Sequence, residues 1–231
     1  MSEPILALEG VHTDIAQYHI LQGVDLQVPR GGVTMLLGRN GVGKTTLFNA
    51  LTGAQQKVAN YPGVTVERVA GMLTLPDGTQ MEAIDLPGAY AFYASSPDED
   101  VTRKVVQGEF PGEAEPDILV LVLDAGNLEQ HLVFAQEVLA LGKPTIVALN
   151  MIDLAERDGL VLDPEALSAA LGVPVIPTVA VRRKGLKELA AAIAEAETHA
   201  DEDAHRQWHL TLPERRLAAK HMARGAILST S

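Results

Sequence analysis

The sequence contains no cysteine, which excludes disulfide bonds and thiolate metal sites. Basic residues are also scarce: 18 Lys and Arg stand against 30 Asp and Glu, giving a formal net charge of −12. So acidic a chain is a poor ligand for a nucleic-acid backbone or an anionic membrane surface, and we predict neither partner. Residues 1–4 lack the basic region and apolar core of a signal peptide. No apolar run approaches the roughly 20 residues that span a bilayer, so we expect a cytoplasmic chain without direct membrane insertion.

A glycine-rich stretch follows the apolar run of residues 33–37. Residues 38–45 read Gly-Arg-Asn-Gly-Val-Gly-Lys-Thr, the pattern of a phosphate-binding loop, although a merely connecting turn is the alternative. In such a loop backbone N–H groups converge on phosphate oxygens, Lys44 reaches the β- and γ-phosphates, and Thr45 ligates Mg²⁺. The positive end of the following helix adds to the attraction. The predicted phosphate-binding residues are Gly38, Asn40, Gly41, Gly43, Lys44, Thr45 and Thr46.

Strand-like and helix-like segments alternate along the chain, whose 231 residues suit one α/β domain with some extra material. Strands are predicted near residues 66–75, 80–85, 118–124, 144–149 and 174–178, and helices near 44–52, 127–141, 163–171 and 185–197. This pattern predicts an α/β P-loop NTPase fold, with a mostly parallel sheet and helices on both faces. Asp77-Gly78 predicts one antiparallel hairpin. Ligands of such sheets bind outside the carboxyl ends of the strands.

Two further polar residues could complete a magnesium site. If the apolar-poor stretch 54–65 folds over a nucleotide, the Thr65 hydroxyl can ligate Mg²⁺ while its N–H contacts the γ-phosphate. Asp85 ends an apolar strand, so its carboxylate can hold Mg²⁺ through water, and the N–H of Gly88 can contact the γ-phosphate. The alternatives are an ordinary strand-initiating threonine and an ordinary turn. The predicted metal ligands are Thr45, Thr65 and Asp85, and the predicted catalytic residues are Lys44, Thr65 and Gly88.

The residues predicted to select the base follow the apolar strand 145–149. There the sequence reads Asn-Met-Ile-Asp over residues 150–153. A carboxylate at the base edge accepts from N1–H and the 2-amino group of guanine, whereas adenine has no donor at N1. We therefore predict guanine selectivity from Asn150, Met151 and Asp153, against the alternative of a polar turn.

Two segments with apolar alternation precede the loop and are predicted to be extra N-terminal strands: residues 5–10 and residues 17–29. Residues 6–46 resemble the start of ATP-binding cassette (ABC) ATPases, whose loop reads Leu-Leu-Gly-Arg-Asn-Gly-x-Gly-Lys-Thr-Thr. By itself this resemblance implies ATP hydrolysis. Downstream, however, we find neither a Leu-Ser-Gly-Gly-Gln signature nor an Asp-Glu pair closing a second apolar strand. An ATP-binding ABC-type fragment is therefore the alternative function.

Four segments resemble the cytosolic G domain of the ferrous iron transport protein B family: residues 47–53, 58–68, 85–88 and 150–153. The resemblance covers about residues 44–195 and implies a GTP-binding, slowly hydrolysing switch with GTP or GDP and Mg²⁺ as cofactors. It also implies that Ala180, after the last strand, offers its N–H to guanine O6. As a partner it implies a membrane transporter domain, which places a full-length relative at the cytoplasmic face of the inner membrane.

Two departures from common G-domain patterns affect the expected chemistry. Ala89 follows Gly88, so no glutamine there can orient the attacking water, a property shared with this family that implies slow hydrolysis. Gly41 stands where the family usually has Asn, in a loop reading Gly-Asn-Pro-Asn-Ser-Gly-Lys. Because that Asn helps to place a monovalent cation, the sequence gives only weak support to K⁺ as a further cofactor. Arg39 is a candidate for supplying positive charge in its place.

The predicted organisation has three parts: ABC-like strands (residues 1–32), the G domain (residues 33–197), and an acidic linker with a short C-terminal helix (residues 198–231). The chain thus resembles a fusion of two P-loop lineages. His205 and His209 lie four residues apart, but we interpret their stretch as a solvated linker, since no third ligand is evident. A third hypothesis is a nucleotide-binding fusion without useful catalysis, in which residues 5–29 compete with the edge of the G domain.

Overall fold

The computed structural model describes residues 6–15, 18–28, 32–53, 56–89, 96–196 and 210–230. Backbone proximity divides the chain into two compact units, residues 1–31 and residues 32–231. The first unit is a two-stranded antiparallel sheet formed by β1 (Leu6–Ile15) and β2 (Tyr18–Val28). The predicted N-terminal strands are therefore present, and β1 extends beyond its predicted end.

The second unit contains nine strands and seven helices among its described residues. The strands are β3 (Val33–Gly38), β4 (Gln56–Asn60), β5 (Glu67–Thr74), β6 (Gln80–Asp85), β7 (Ile118–Asp124), β8 (Thr145–Asn150), β9 (Leu160–Leu162), β10 (Val175–Pro177) and β11 (Ile227–Thr230). The helices are α1 (Lys44–Thr52), α2 (Pro97–Val106), α3 (Leu128–Leu139), α4 (Ile152–Arg157), α5 (Pro164–Leu171), α6 (Leu186–Ala196) and α7 (Leu212–Gly225). Two 3₁₀ turns cover Ala125–Asn127 and Ala180–Arg182. No described helix is long and apolar enough to cross a membrane.

The main sheet has seven strands in the order β10-β8-β7-β3-β6-β5-β4. Its first five strands in this order run parallel, and β5 and β4 continue it as antiparallel neighbours. The mostly parallel α/β fold is therefore confirmed. The hairpin predicted at Asp77-Gly78 joins β5 to β6, and the Asp77 carboxylate accepts hydrogen bonds from the Thr79 N–H and hydroxyl at 2.9 and 2.8 Å.

Both faces of the sheet are buried, which explains the continuous apolar sequence of its central strands. In β7 all six residues from Ile118 to Leu123 are fully buried. Alternate side chains along a strand point to opposite faces, so they contribute to two separate cores. On one face α1 and α6 supply Phe48 and Leu189, and on the other α3 and α5 supply Leu132 and Leu167. Burying each such side chain stabilises the fold by about 1.5–3 kcal/mol.

Capping interactions define both ends of α5, a helix predicted near residues 163–171. The Asp163 carboxylate caps the helix by accepting from the N–H groups of Glu165 and Ala166, both at 3.0 Å, and Pro164 occupies the first turn. Gly172 ends the helix in the left-handed conformation, with φ 73°, and its N–H donates to the Ser168 carbonyl.

The C-terminal helix α7 packs against α3. Thr211 and Glu214 form a capping box at its start, and a proline lies in its first turn. The buried Arg215 guanidinium pairs with Glu137 at 3.2 Å, and Gln136 donates to the Arg215 carbonyl at 3.0 Å. The strand after α7, β11, pairs antiparallel with β9. The histidines of the predicted linker, at positions 205 and 209, lie outside the described residues.

Candidate functional site

A cleft of about 610 Å³ opens at the carboxyl ends of β3 and β6. Its lining includes nine of the residues predicted to bind phosphate or metal: Asn40, Gly41, Gly43, Lys44, Thr45, Thr46, Thr65, Asp85 and Gly88. Gly38, also predicted to bind phosphate, ends β3 and is buried next to the Val122 carbonyl of β7. The four residues predicted to bind the base lie at the end of β8 and in the segments that follow β8 and β10, and none of them lines this cleft.

Three glycines of the loop occupy positions that a side chain would disturb. Gly41 and Gly43 have φ angles of 87° and 77°, which L-residues rarely adopt. A β-carbon on Gly43 would also lie 2.6 Å from the Asn150 amide nitrogen and 3.2 Å from the Met151 methyl group. On Gly38, a β-carbon would lie 2.8 Å from the Val122 carbonyl oxygen. The local backbone therefore explains the glycine pattern.

Lys44, Thr45 and Asp85 form one polar cluster within the cleft. The Lys44 ammonium donates to the Asp85 carboxylate and to the Leu86 carbonyl, and the Thr45 hydroxyl donates to the other Asp85 oxygen at 2.8 Å. Burial lowers the pKa of Lys44, and the neighbouring Asp85 charge opposes that shift. The cluster thus brings together an ammonium group, a hydroxyl and a carboxylate.

Backbone hydrogen bonds fix the segment after β6 against the loop. The Leu86 N–H donates to the Leu36 carbonyl and the Ala89 N–H donates to the Gly38 carbonyl, both at 3.2 Å. This arrangement holds Gly88 beside the phosphate loop. Gly88 lies near Lys44 because the two residues follow β6 and β3, which are adjacent parallel strands that end at the same edge of the sheet.

Thr65 reaches the cleft from a tight turn. The Tyr61 N–H donates to the Val66 carbonyl at 2.9 Å, and the Tyr61 ring is buried edge-on against Phe110, with ring centroids 5.2 Å apart. Both ends of the turn are thereby anchored, while Thr65 itself is exposed. The structure differs here from the prediction, because residues 56–60 form strand β4 within the stretch expected to fold over a nucleotide.

Oxygen is the shared donor type of the predicted metal ligands, Thr45, Thr65 and Asp85, and hard cations such as Mg²⁺ prefer oxygen. The residues present fit this ion. Over the described ranges, no group of three or more His, Asp or Glu could hold a metal ion by itself. Mg²⁺ is typically bound by one or two carboxylates together with phosphate oxygens and water. Asp85 and Thr45 present oxygen donors of the type that such a site uses.

Asn150 connects the phosphate loop to the turn after β10. Its amide nitrogen donates to the Val42 carbonyl at 2.9 Å. Its amide oxygen accepts from the Thr178 hydroxyl at 3.2 Å and from the Ala180 N–H at 3.1 Å. The Ala180 N–H, predicted to bind guanine O6, is therefore engaged with Asn150 in this structure. Met151, the next residue, adopts the left-handed conformation with φ 62°.

Asp153 lies in the first turn of α4 with 20% of its side chain exposed. Its carboxylate faces the guanidinium group of Arg182 at 3.6 Å. Arg182 ends the 3₁₀ turn that begins at Ala180, so this turn approaches both Asn150 and Asp153. An exposed arginine within a turn gives no recognisable sequence signal, and the motif analysis missed Arg182.

Two further residues line the cleft: Arg39 was a candidate source of positive charge, and Asp98 was not predicted as a site residue. Arg39 lines the cleft and donates to Gln130 of α3 at 3.5 Å. Asp98 reaches the cleft from the first turn of α2, a helix that the sequence analysis did not predict. A signal for it was present: Ser96 and Pro97 precede three acidic residues, and the Ser96 hydroxyl caps the helix.

Residues 33–193 match the family model described as Ferrous iron transport protein B. The chain belongs to this family. It is 44% identical over 158 residues to the Fe(2+) transporter FeoB of Shigella flexneri and 43% identical over 158 residues to that of Escherichia coli strain K12. Each alignment covers 68% of this chain and 20% of the relative, so the chain spans about a fifth of the length of these proteins. The matched range begins at β3 and leaves β1 and β2 outside.

Solved structures of FeoB domains share the fold. The cytosolic domain of L. pneumophila FeoB has a TM-score of 0.65 and 41% identity, covering 71% of this chain and 68% of that one. The cytosolic domain of T. maritima FeoB in "GDP form I" has a TM-score of 0.75 and 27% identity, with coverages of 86% and 98%. A GDP-bound point mutant of the S. thermophilus FeoB G-domain has a TM-score of 0.65 and 35% identity, with coverages of 75% and 62%.

Proposed function

We propose that this chain is a GTP-binding, slowly hydrolysing switch domain. The observation that carries this proposal is the position of Asn150, whose side chain joins the phosphate loop at Val42 to the Ala180 turn. This connection links the loop that bears Lys44 to the turn that approaches Asp153. Two of the similar FeoB structures are described as GDP-bound or in a GDP form, which supports a guanine nucleotide here.

In this proposal each end of the nucleotide has its own recognition residues. Lys44 and the loop N–H groups bind the phosphates, and Lys44 exchanges its contacts with Asp85 and Leu86 for phosphate oxygens. The Asp153 carboxylate accepts from guanine N1–H and the 2-amino group. Since adenine has no donor at N1, ATP would leave a partly buried acceptor unpaired.

Mg²⁺, when bound, neutralises negative charge on the phosphates, and Thr45, Thr65 and Asp85 are the residues proposed to hold it. The N–H of Gly88 is proposed to respond to the γ-phosphate, which would couple the following segment to the bound nucleotide. Ala89 supplies no polar side chain to orient water, so we propose slow intrinsic hydrolysis. Gly41 has no side chain to help place K⁺, so K⁺ has only weak support as a further cofactor.

The output of the switch is proposed to be a membrane transporter domain. The curated relatives are named Fe(2+) transporters and are about five times as long as the matched segment. We therefore propose that the domain acts at the cytoplasmic face of the inner membrane.

We further propose the three-part organisation of residues 1–32, 33–197 and 198–231, with an ABC-derived first part. Its support is the sequence resemblance of residues 6–46 and the separate antiparallel pair of β1 and β2.

Competitive titration tests the nucleotide assignment. The purified chain in Mg²⁺ should bind a fluorescent GDP that is displaced by GDP much better than by ADP, by roughly 10²–10⁴-fold for two hydrogen bonds to a charged acceptor. In Asp153→Asn an amide replaces that acceptor, so GDP should lose this advantage and xanthosine diphosphate, with an oxygen at C2, should gain affinity. Asp158→Asn is the matched control, because Asp158 is exposed and lies outside the site.

The alternatives give different results in the same titration. Equal or stronger binding of ADP would support the ABC-type ATPase and contradict guanine selection. Absence of binding by any nucleotide would support a fusion without a working site. A cooperative thermal transition that GDP shifts upward would argue against such a fusion, since a ligand stabilises only the state that binds it.

A further inference from the structure

The side chain of Asn40 lies directly against Gly88. If Gly88 carried a β-carbon, the three nearest atoms outside its own neighbourhood would all belong to Asn40. That β-carbon would overlap the Asn40 amide oxygen and would lie 2.7 Å from its side-chain carbonyl carbon and 3.3 Å from its backbone nitrogen. The carboxamide therefore occupies the space that faces Gly88, at the edge of the cleft.

The position of the Asn40 carboxamide matters for hydrolysis because the residue after Gly88 is Ala89, which has no polar side chain. In some GTPases a glutamine side chain orients the attacking water, and its carboxamide can both accept and donate hydrogen bonds. Here the residue after Gly88 is Ala89, which is buried and whose N–H is bound to the Gly38 carbonyl. The loop, however, presents the Asn40 carboxamide directly against Gly88.

We propose that the Asn40 carboxamide orients the water that attacks the γ-phosphate, an inference that rests on the proposed GTPase function. The water oxygen bonds to the γ-phosphorus while the bond from phosphorus to the β–γ bridging oxygen breaks. The bridging oxygen keeps the electron pair and leaves as part of GDP. A proton of the water passes to a phosphate oxygen, giving inorganic phosphate. Asn40 accepts a hydrogen bond from the water and takes no proton.

Other polar side chains of the cleft are less well placed for this role. Lys44, Thr45 and Asp85 contact one another in the proposed phosphate and magnesium site. Glu67 and Asp98 also line the cleft, but they bring negative charge towards a negatively charged phosphate. Asn40 is neutral, exposed and in contact with Gly88, the residue proposed to respond to the γ-phosphate.

Single-turnover hydrolysis of GTP by Asn40→Ala tests the inference. The rate at saturating GTP should fall about tenfold or more, because misplacing a reacting group by about 1 Å can cost 10²-fold. The dissociation constants for GDP and for a non-hydrolysable GTP analogue should stay within about twofold, because the attacking water contributes to neither binding step. Asn49→Ala is the matched control, since Asn49 is exposed on α1 and does not line the cleft. This variant should hydrolyse GTP at the wild-type rate.

Three results would overturn the inference. An unchanged rate in Asn40→Ala would show that the carboxamide is not needed, and a faster rate would show that it obstructs the reaction. A parallel loss of rate and of GTP-analogue affinity would assign Asn40 to phosphate binding instead. In all three cases guanine-selective binding by the wild-type chain leaves the nucleotide assignment intact, whereas its absence means that the proposed function itself has failed.

Discussion

Replacing Arg215 by alanine should destabilise the second unit by about 3–5 kcal/mol, because the change removes the positive charge that lies against the buried Glu137 carboxylate. Arg215 is 9% and Glu137 8% exposed at the side chain, and the two approach to 3.2 Å. The hydrogen bond from Gln136 to the Arg215 carbonyl involves the backbone and should survive the substitution. The expected cost therefore comes from the lost ion pair together with lost packing of α7 on α3.

The same geometry predicts a much milder effect when both charges are removed. The buried Arg215 Nε atom has no hydrogen-bond partner among the described residues, so the desolvation of the guanidinium group is incompletely compensated. We expect Arg215→Met combined with Glu137→Leu to lie within about 2 kcal/mol of the wild-type free energy of unfolding, or above it. The coupling free energy between positions 215 and 137 should thus be large.

Urea unfolding at pH 7, followed by far-ultraviolet circular dichroism, measures these differences. For a domain of this size, a loss of about 3–5 kcal/mol corresponds to a melting temperature lower by roughly 6–20 °C. Arg216→Ala, on the exposed side of the same helix, should change the free energy of unfolding by less than about 0.5 kcal/mol. A cost below about 1 kcal/mol for Arg215→Ala would refute the reasoning, because it would mean that Glu137 becomes hydrated without loss of the fold.

Three smaller perturbations complete the predictions. Burial and the Arg39 charge lower the pKa of His131, and the Asp124 charge opposes that shift. The folded state therefore binds fewer protons than the unfolded state, so the free energy of unfolding should fall as the pH drops below about 6.5. His131→Gln should flatten this pH dependence in urea titrations. Asn150→Ala should weaken GDP binding at least about tenfold and lower the free energy of unfolding by about 2–4 kcal/mol, since three hydrogen bonds disappear, as displacement and melting assays would show. Tyr61→Phe should leave the melting temperature equal or higher, because the buried Tyr61 hydroxyl has no hydrogen-bond partner within the described part of the chain.

Much of the fold was predictable because its strands and helices carry local signals. The run from Ile118 to Leu123 is buried on both faces, so it appears in the sequence as an uninterrupted apolar strand. Asp163, Pro164 and Gly172 mark the ends of α5 through capping chemistry that acts within a few residues. The bounds of α1, α3 and α6 likewise agree with prediction to within a few residues.

Other elements depend on contacts that leave no local pattern. β4 is mostly exposed on both faces and is held by backbone pairing with β5, so its sequence shows no alternation of apolar residues. The short pair of β9 and β11 depends on pairing between strands that are separated by more than sixty residues in the chain. Helix α2 was missed because its charged residues obscure the apolar face formed by Val101 and Val105.

The candidate site likewise has features that the sequence predicts and features that it does not. Its motifs, from the phosphate loop to residues 150–153, were predictable because each one combines a residue pattern with a strand end. The directions of individual side chains were not predictable. Nothing in the sequence indicates that Asn40 faces Gly88 or that Arg182 faces Asp153. These contacts depend on torsion angles and on loops from distant parts of the chain.

The connection made by Asn150 also has a consequence for folding. Its hydrogen bond to Val42 joins residues 108 positions apart, and its bonds to Thr178 and Ala180 join residues 28 and 30 positions apart. Contacts between residues so far apart in the sequence form late in folding, because the chain must close long loops before it gains them. The intact site should therefore exist only once the parallel strands have assembled. Nucleotide binding would then report completion of the sheet, and a saturating nucleotide would favour the assembled state over every partly folded one.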